Sequence, residues 1–547
     1  MKNTPHWPHH FYLIASGSAG QAHKPDRQKM GSKACNLLRM AALGLPVPPA
    51  LVIGTHYTAA PDGCMLPLFS VGLPTLQEAT GRVLGDARKP LIVSVRSGAP
   101  VSMPGMMETL LNIGLSDATL PGLLRQTGNP RLVWDAYRRL IASYGEVVAG
   151  LPGAVFEDEI TRLTQGRDER LLDFAELREL TRRFQALYLQ HAGHAFPQDV
   201  NEQLWGAIRA VFASWHADKA QAYRATHQID PAMGTAVTIQ SMVFGNSGGH
   251  SGAGVGFTRN PTTGEPQPWV DFLANAQGED VVSGRRNAHG HQALASVAPD
   301  AWQQLQTAMQ TLEQAFGDMQ DFEFTVQDGV LHLLQTRAGK RTPLAAARIA
   351  LDLLDEGRID AATALEHTAS LGEDDLATVQ LALQDDPHAQ ARLLGQAQSA
   401  CSGVVSGEVV LDGERAALRA AEGASLILVR QDAETSDIAA LEWAAGLLTQ
   451  RGARTSHAAV VARQLHKVCL VGCDSLHIDL ATRTARLGDV LLREGEVITL
   501  DGNEGRLYAG AVAAVKVPDT ALIGRLEALR ASQSHPSHRK HKAHTST

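Results

Sequence analysis

The chain changes character twice, and those changes confine it to a multidomain α/β and α+β fold. Residues 1–340 mix short β-like runs with amphipathic helical stretches. Residues 341–395 read as an acidic helical linker containing ALEHTASLGEDDLATVQLALQ. Around Cys401 the text becomes CSGVVSGEVVL, a glycine-punctuated β run that opens a second globular unit over 396–515. Residues 516–547 are expected to hold a short helix and a disordered basic tail. The length, 547 residues, suits about three or four domains with sizeable cores.

Composition removes several classes of function. With 44% hydrophobic and 19% charged residues the balance is that of a soluble protein, and no run approaches the ~20 apolar residues of a membrane span. The net charge of −8 argues against a general nucleic-acid binder; only the basic tail SHPSHRKHKAHTST leaves room for such contact. Near the N-terminus, FYLIASGSAG has too short an apolar core for a secretory signal and reads as a first strand ending in a Gly-rich turn. Five cysteines (Cys35, Cys64, Cys401, Cys469, Cys473) form no C-x-x-C and no disulfide framework, which fits a reducing, cytoplasmic compartment.

Local signals place the elements. GSKACNLLRMAALGLPVPPALVIGT reads as a loop, a helix over roughly 34–43, a Gly-Leu-Pro stop and a strand. LIVSVRSGAP is a β-branched strand entering a Gly/Pro loop, and residues 175–225 are largely helical, with a 3.6-residue apolar period in LWGAIRAVFASW. TAVTIQSMVFGN is a further strand, followed by the glycine-rich NSGGHSGAGVGF.

Three constellations upstream of residue 340 can carry chemistry. Lys33, in a loop after Gly31, and Arg96, before a Gly-Ala-Pro loop, are cations beside glycines that allow close backbone approach; they suit phosphates or are plain surface charges. No G-x-x-x-x-G-K-[ST] loop occurs, so a nucleotide site must be of another type. Gly245, Gly248, Gly249, Gly252, Gly254 and Gly256 fit a loop folding over phosphates, or an ordinary flexible one. In DFEFTVQDGVLHLLQTR, Asp328-Gly329 marks a hairpin whose register is open. A two-residue turn puts Glu323 and Gln335 on opposite faces; a three-residue loop sets them side by side as hard oxygen ligands for Mg²⁺. Otherwise they form a solvent-facing polar pair. Asp321 and Arg337 share one end of the ladder.

In the second unit, GARTSHAAVVAR puts His457 after a Thr-Ser pair at the head of an Ala/Val-rich helix, with Thr455 or Ser456 as N-cap. A helix N-terminus favours anions, so an imidazole there can meet a phosphoryl group, or it is a histidine on a capped surface helix.

SVRSGAPVSMPGMMETLLNIGL, QSMVFGNSGGHSGAGVGFTRNPTTGE, NAQGEDVV, MQDFEFT, LLQTRAGKRT and TSHAAVVARQLHKVCLVGC resemble signatures of the pyruvate, phosphate dikinase family, colinearly up to about residue 515. Phosphoenolpyruvate synthase is a more distant relative of the same logic. The resemblance implies an ATP-grasp-type nucleotide-binding domain over 1–340, a helical linker, and a swivelling β/β/α phosphohistidine domain over 396–515. It further implies that Lys33, Arg96 and Arg337 hold ATP phosphates and that Glu323 and Gln335 hold Mg²⁺ with Asp321 beside them. On the same basis the Gly248–Gly254 loop, with Gly249 and Gly252, covers the phosphates while Gln240 and Glu279 line the nucleotide site. His457 is the implied nucleophile for the β-phosphoryl group, and Thr455 resembles a threonine phosphorylated by a regulatory protein in some members.

The chain departs from that pattern at Ser32 and Ala34, where glycines are usual, and at Arg454, expected to add a cation beside the phosphoryl group. The family's (β/α)₈ phosphoenolpyruvate/pyruvate barrel takes about 250 residues, far more than follow residue 515. The expected activity is therefore ATP- and Mg²⁺-dependent phosphorylation of His457, yielding AMP with inorganic phosphate or water taking the γ-phosphoryl group. Transfer would follow to an acceptor on a separate chain, such as a phosphoenolpyruvate/pyruvate-binding subunit. Alternatives are a non-pyruvate acceptor and a non-catalytic nucleotide-binding regulator.

Overall fold

The computed structural model describes residues 7–16, 24–103, 105–282, 286–382, 392–432 and 437–534. A five-stranded antiparallel sheet comes first, built from β1 (Phe11–Ile14), β2 (Ala50–Ile53), β3 (Val93–Gly98), β4 (Thr109–Ile113) and β5 (Ala236–Ser241) in the order β1-β2-β5-β3-β4. Helices α2 (Pro130–Val147), α3 (Phe174–Ala192) and α4 (Val200–Ser214) intervene between β4 and β5. Asn129, Asp173 and Asp199 cap their free N–H groups, and their apolar stripes share one core with the sheet.

The helix expected over 34–43 is longer. Helix α1 (Arg27–Ala42) starts one residue after Asp26, which accepts from the N–H groups of Gln28 and Lys29, and is kinked where Gly31 takes φ 77°. The loop expected before Lys33 is thus a helical turn broken at one glycine. The Gly-rich turn expected after β1 falls at residues outside those described.

The second sheet is also antiparallel, with β6 (Gly252–Phe257), β7 (Trp269–Ala274), β8 (Gln320–Gln327) and β9 (Val330–Ala338) in the order β7-β6-β8-β9. This corrects the loop reading of the glycine cluster: Gly252 and Gly254 belong to a fully buried strand. A Cβ on Gly252, Gly254 or Gly256 would lie 2.2 Å, 2.3 Å or 2.7 Å from the ring of Phe272, Phe324 or Phe322. These glycines make room for aromatic rings rather than for motion. That face of the sheet joins α1, helix α5 (Pro299–Phe316) and residues Ala50 and Val52 in a core shared by both sheets.

The linker is only partly helical. Helices α6 (Pro343–Asp355) and α7 (Ala361–His367) are followed by strand β10 (Ala377–Leu381). Beyond residues 383–391, which are not described, comes β11 (Leu393–Gln396). Strand β10 pairs with β22 (Ala514–Pro518), so the chain segments entering and leaving the 396–515 unit form one antiparallel ribbon. The expected short C-terminal helix is α9 (Thr520–Ser534), fifteen residues whose Leu522, Leu526 and Leu529 pack with Leu344, Leu351 and Leu376. The basic tail lies outside the described residues.

The 396–515 region supplies an eight-stranded mixed sheet to which β11 also belongs. Strands β13 (Val404–Val410), β14 (Leu426–Arg430), β15 (Gly446–Thr449) and β16 (Val468–Val471) run parallel in that order. Strand β12 (Gln398–Cys401) lies at the far edge, and β20 (Val497–Asp501) and β21 (Arg506–Ala509) lie between β13 and β11; β17 (Leu476–Asp479), β18 (Thr484–Leu487) and β19 (Val490–Arg493) form a small antiparallel sheet beside it. Helix α8 (His457–Gln464) is the crossover from β15 to β16, and its Ala458, Ala459 and Ala462 are buried in the core beneath it. All five cysteines are buried and unbridged, and no helix among the described residues is long and apolar enough to cross a membrane.

Candidate active site

Lys33 and Arg96 meet because two backbones touch. Gly31 passes so close to Gly98 that a Cβ would lie 1.8 Å from the Gly98 carbonyl oxygen, and its positive φ suits glycine alone. Ser32 tightens the crossing by donating its N–H and hydroxyl to the carbonyl of Ala99, at 3.0 Å and 2.9 Å. The lysine is thereby fixed beside Arg96 of β3. Burial, helped by the charge of Arg96, pulls the Lys33 ammonium down to about 8.

The hairpin combines features of both registers. Its turn is the two-residue one: Gln327 pairs with Val330, and Asp328 and Gly329 have φ of 52° and 82°. A bulge at Leu334 then shifts the ladder, so Glu323 pairs with Gln335 and Asp321 with Arg337. One extra residue further along the second strand does what a three-residue loop would have done at the tip. Directly paired residues share a face, so Asp271, Val255, Glu323 and Gln335 form one row across the sheet, and Trp269, Phe257, Asp321 and Arg337 the next.

Charges on this face are matched in pairs. Arg337 Nε lies 2.8 Å from Asp321 Oδ2, and Arg96 Nη2 reaches from the first sheet to within 3.3 Å of Glu323 Oε2. Burial works to raise the Glu323 carboxyl, but Arg96, Arg337 and Lys33 outweigh it and hold the group below its ordinary range. Burial prevails at Asp321, which is raised despite Arg337. Glu323 and Gln335 offer one ionised carboxylate and one amide, a hard-oxygen pair that fits Mg²⁺ when nucleotide phosphates complete the shell.

Other expected site residues are dispersed around this face. Gln240 is buried in β5 and its amide donates to the carbonyl of Pro48 at 3.2 Å. Gly248 and Gly249 lie in the turn after β5 with no neighbouring atoms where a Cβ would be, so only this part of the glycine cluster is open. Glu279 sits on a short helix (Gly278–Val282), half-exposed, with Oε2 3.9 Å from Arg139 Nη1.

The 396–515 unit docks on the same face through the residues just before His457. Arg454 donates to Asp271 Oδ1 from Nε and Nη2 at 2.9 Å and 2.7 Å, and lies over the Trp269 ring. Thr455 donates its N–H and hydroxyl to Asp271 Oδ2 at 3.1 Å and 3.2 Å. Ala453 is buried against Ala253, Val255 and Leu273, and Asn287 accepts from the Gly452 N–H. The cation expected beside the phosphoryl group, Arg454, is therefore committed to a carboxylate of the other unit. Ser456 is the N-cap of α8, its hydroxyl accepting from Ala459 N–H. Backbone at His457 starts the helix; its imidazole lies outside what the structure describes.

Sequence reasoning missed Asp271 and Arg463. A carboxylate inside the apolar strand WVDFLA was the available signal for the first, whose relative exposure is 0%. Arg463 closes the TSHAAVVAR run and is completely buried; its place four residues after the buried Ala459, on the inward stripe of the helix, was the available signal.

Residues 75–296 match the family described as pyruvate phosphate dikinase, AMP/ATP-binding domain, and residues 423–505 match PEP-utilising enzyme, mobile domain. A pyruvate, phosphate dikinase of Rhizobium meliloti (strain 1021) is 41% identical over 525 residues, covering 92% of this chain and 58% of the relative. One from Clostridium symbiosum is 40% identical over 515 residues, covering 92% and 58%. The chloroplastic pyruvate, phosphate dikinase 1 of Arabidopsis thaliana is 39% identical over 504 residues, covering 90% and 52%. The chain thus spans somewhat over half the length of these relatives.

Proposed function

Because the chain belongs to the pyruvate, phosphate dikinase family of PEP-utilising enzymes, we propose that it phosphorylates His457 at the expense of ATP. In this reading an ATP-grasp-type domain binds the nucleotide and the 396–515 unit swivels as a phosphohistidine carrier. The imidazole attacks the β-phosphorus; an N–P bond forms, the bond from that phosphorus to the α,β-bridging oxygen breaks, and AMP leaves. Inorganic phosphate or water then takes the γ-phosphoryl group, releasing pyrophosphate or phosphate, and the β-phosphoryl group stays on nitrogen.

The observation that carries the proposal is the shared face: Lys33, Arg96, Asp321, Glu323, Gln335 and Arg337 converge on the sheet against which the loop preceding His457 is docked. Phosphoryl transfer needs chiefly positioning and charge neutralisation. Lys33, Arg96 and Arg337 orient the triphosphate and balance its charge, Gly248 and Gly249 leave space above it, and Gln240 and Glu279 bound the base. Glu323 and Gln335 would hold Mg²⁺, which when bound supplies further positive charge to the phosphate oxygens. The acceptor is a phosphoenolpyruvate/pyruvate-type site outside the described residues. Five buried free thiols suit a reducing, cytoplasmic setting.

Incubation with β-labelled and γ-labelled ATP tests this. Acid-labile label should enter wild type from the β position with stoichiometric AMP, and none should enter His457→Ala. Undiminished label in that variant would sink the carrier role. A separately supplied phosphoenolpyruvate/pyruvate barrel should discharge the label to pyruvate; retention of label would instead point to a different acceptor.

A further inference from the structure

We infer that Arg463 makes docking of the 396–515 unit depend on a polyanion held on the nucleotide face; the inference rests on the phosphoryl-transfer reading above. In the docked arrangement Arg454–Asp271, Arg337–Asp321 and Arg96–Glu323 are matched pairs, at 2.7 Å, 2.8 Å and 3.3 Å. Two cations on this face have no carboxylate within 4.0 Å among the described residues: Lys33, from the nucleotide-binding side, and Arg463, carried in on α8.

Arg463 is completely buried and its charge is met only by neutral groups. Its Nε and Nη2 donate to the carbonyl of Ala400 at 3.3 Å and 2.9 Å, and Nη2 also donates to the carbonyl of Arg454 at 3.1 Å. Both acceptors belong to its own unit, so these bonds travel with it. Nη1 is buried without a hydrogen-bond partner among the described residues. The guanidinium carbon lies 5.1 Å from the ring centroid of Phe257, which sits between Trp269 and Asp321 in the ladder of the other unit. Asp321 and Asp271 are near enough to act on its charge, but each already has its own arginine.

Docking therefore strips water from a guanidinium whose two carbonyl partners it already holds, and adds only an aromatic ring in return. A ring recovers only part of a cation's hydration, and a buried charge without a counter-charge is costly. A triphosphate beside Lys33, Arg96 and Arg337 would supply the missing negative charge next to Asp321. By linkage, a ligand that binds the docked form better shifts the unit toward docking, and docking tightens that ligand by the same factor. Once AMP and the γ-phosphoryl group have left, only the β-phosphoryl group on the carrier remains to offset these cations, so the docked form loses part of its stabilisation. Arg463 is in this sense a positioning residue that reads the charge state of the site.

The test follows amide hydrogen exchange across residues 452–456 of the full chain, where the Gly452 and Thr455 N–H groups donate to Asn287 and Asp271 of the other unit. Inorganic tripolyphosphate without Mg²⁺ serves as probe, so that turnover is not involved, and calorimetry measures its binding in parallel. In wild type, saturating tripolyphosphate should slow this exchange at least fivefold. Arg463→Lys, which keeps the charge, should retain most of that response. Arg463→Met should respond less than twofold from whatever level it starts, with unchanged exchange in β14–β16 confirming its fold. Binding without slower exchange in wild type overturns the inference, as does a full response in Arg463→Met or an equal loss in Arg463→Lys. Failure of tripolyphosphate to bind at all would instead strike the phosphate site of the proposed function.

Discussion

Strands β6–β9 present two faces built under opposite constraints. One is a dry core face, where Gly252, Gly254 and Gly256 lie under Phe272, Phe324 and Phe322 and the sheet presses against α1 and α5. The other carries Asp271, Asp321, Glu323, Gln335 and Arg337 and receives the 396–515 unit. Alternate residues of the same strands make both. The first face is decided by volume, because packed interiors have no room to yield. The second is decided by charge, and its tolerance for substitution depends on whether a counter-charge remains.

Substitutions on the two faces should therefore fail differently. The largest effect is expected at Gly254→Val, where the added Cβ alone would meet the Phe324 ring at 2.3 Å and the Asp271 carbonyl oxygen at 2.7 Å. Denaturant unfolding should show a loss of about 3 kcal/mol or more, or no folded protein. A variant that unfolds as wild type would mean the sheet can spread there, and the contrast between faces would weaken.

Glu323→Gln, on the other face, should unfold within about 1 kcal/mol of wild type, since the Arg96 pair is partly solvated. His457 labelling should nevertheless fall by about 100-fold, the scale of one lost electrostatic contact in a transition state. Near-normal labelling would remove Glu323 from the site.

The smallest effect is a pH dependence at Lys33, whose ammonium is lowered to about 8. Below that pH the lysine is charged and, on the proposed reading, available to phosphate; above it the charge is lost, so tripolyphosphate affinity should fall by up to about tenfold per pH unit. Because the folded-state value lies below the ordinary 10.5, the same group makes folding more favourable as pH rises from about 8 toward 10.5. Lys33→Arg should abolish the loss of affinity over this range. If calorimetry shows the same decline in that variant, another group titrates.

Much of the site could be read from short-range signals. Asp328-Gly329 specified a tight hairpin, and alternation put Asp321 with Glu323 and Gln335 with Arg337 on like faces. The Thr-Ser-His run specified a capped helix beginning at His457. The glycine cluster misled, because glycine at a flexible turn and glycine under an aromatic ring look alike in a sequence; only Phe272, Phe322 and Phe324 tell them apart. The linker misled for a related reason: β10 is a strand by virtue of pairing with β22, more than 130 residues further on.

Turn chemistry, capping and side-chain alternation act over a few residues, so the sequence by itself determined a tight hairpin with polar groups on alternate positions of each strand and a helix headed by a histidine. Tertiary structure decided what those elements face. The Leu334 bulge brought Glu323 opposite Gln335, the Gly31–Gly98 crossing put Lys33 beside Arg96, and Asp271 took Arg454 from 183 residues away. Each depends on close contact between distant segments, and such contacts are set by the packing of whole layers, which no local pattern encodes.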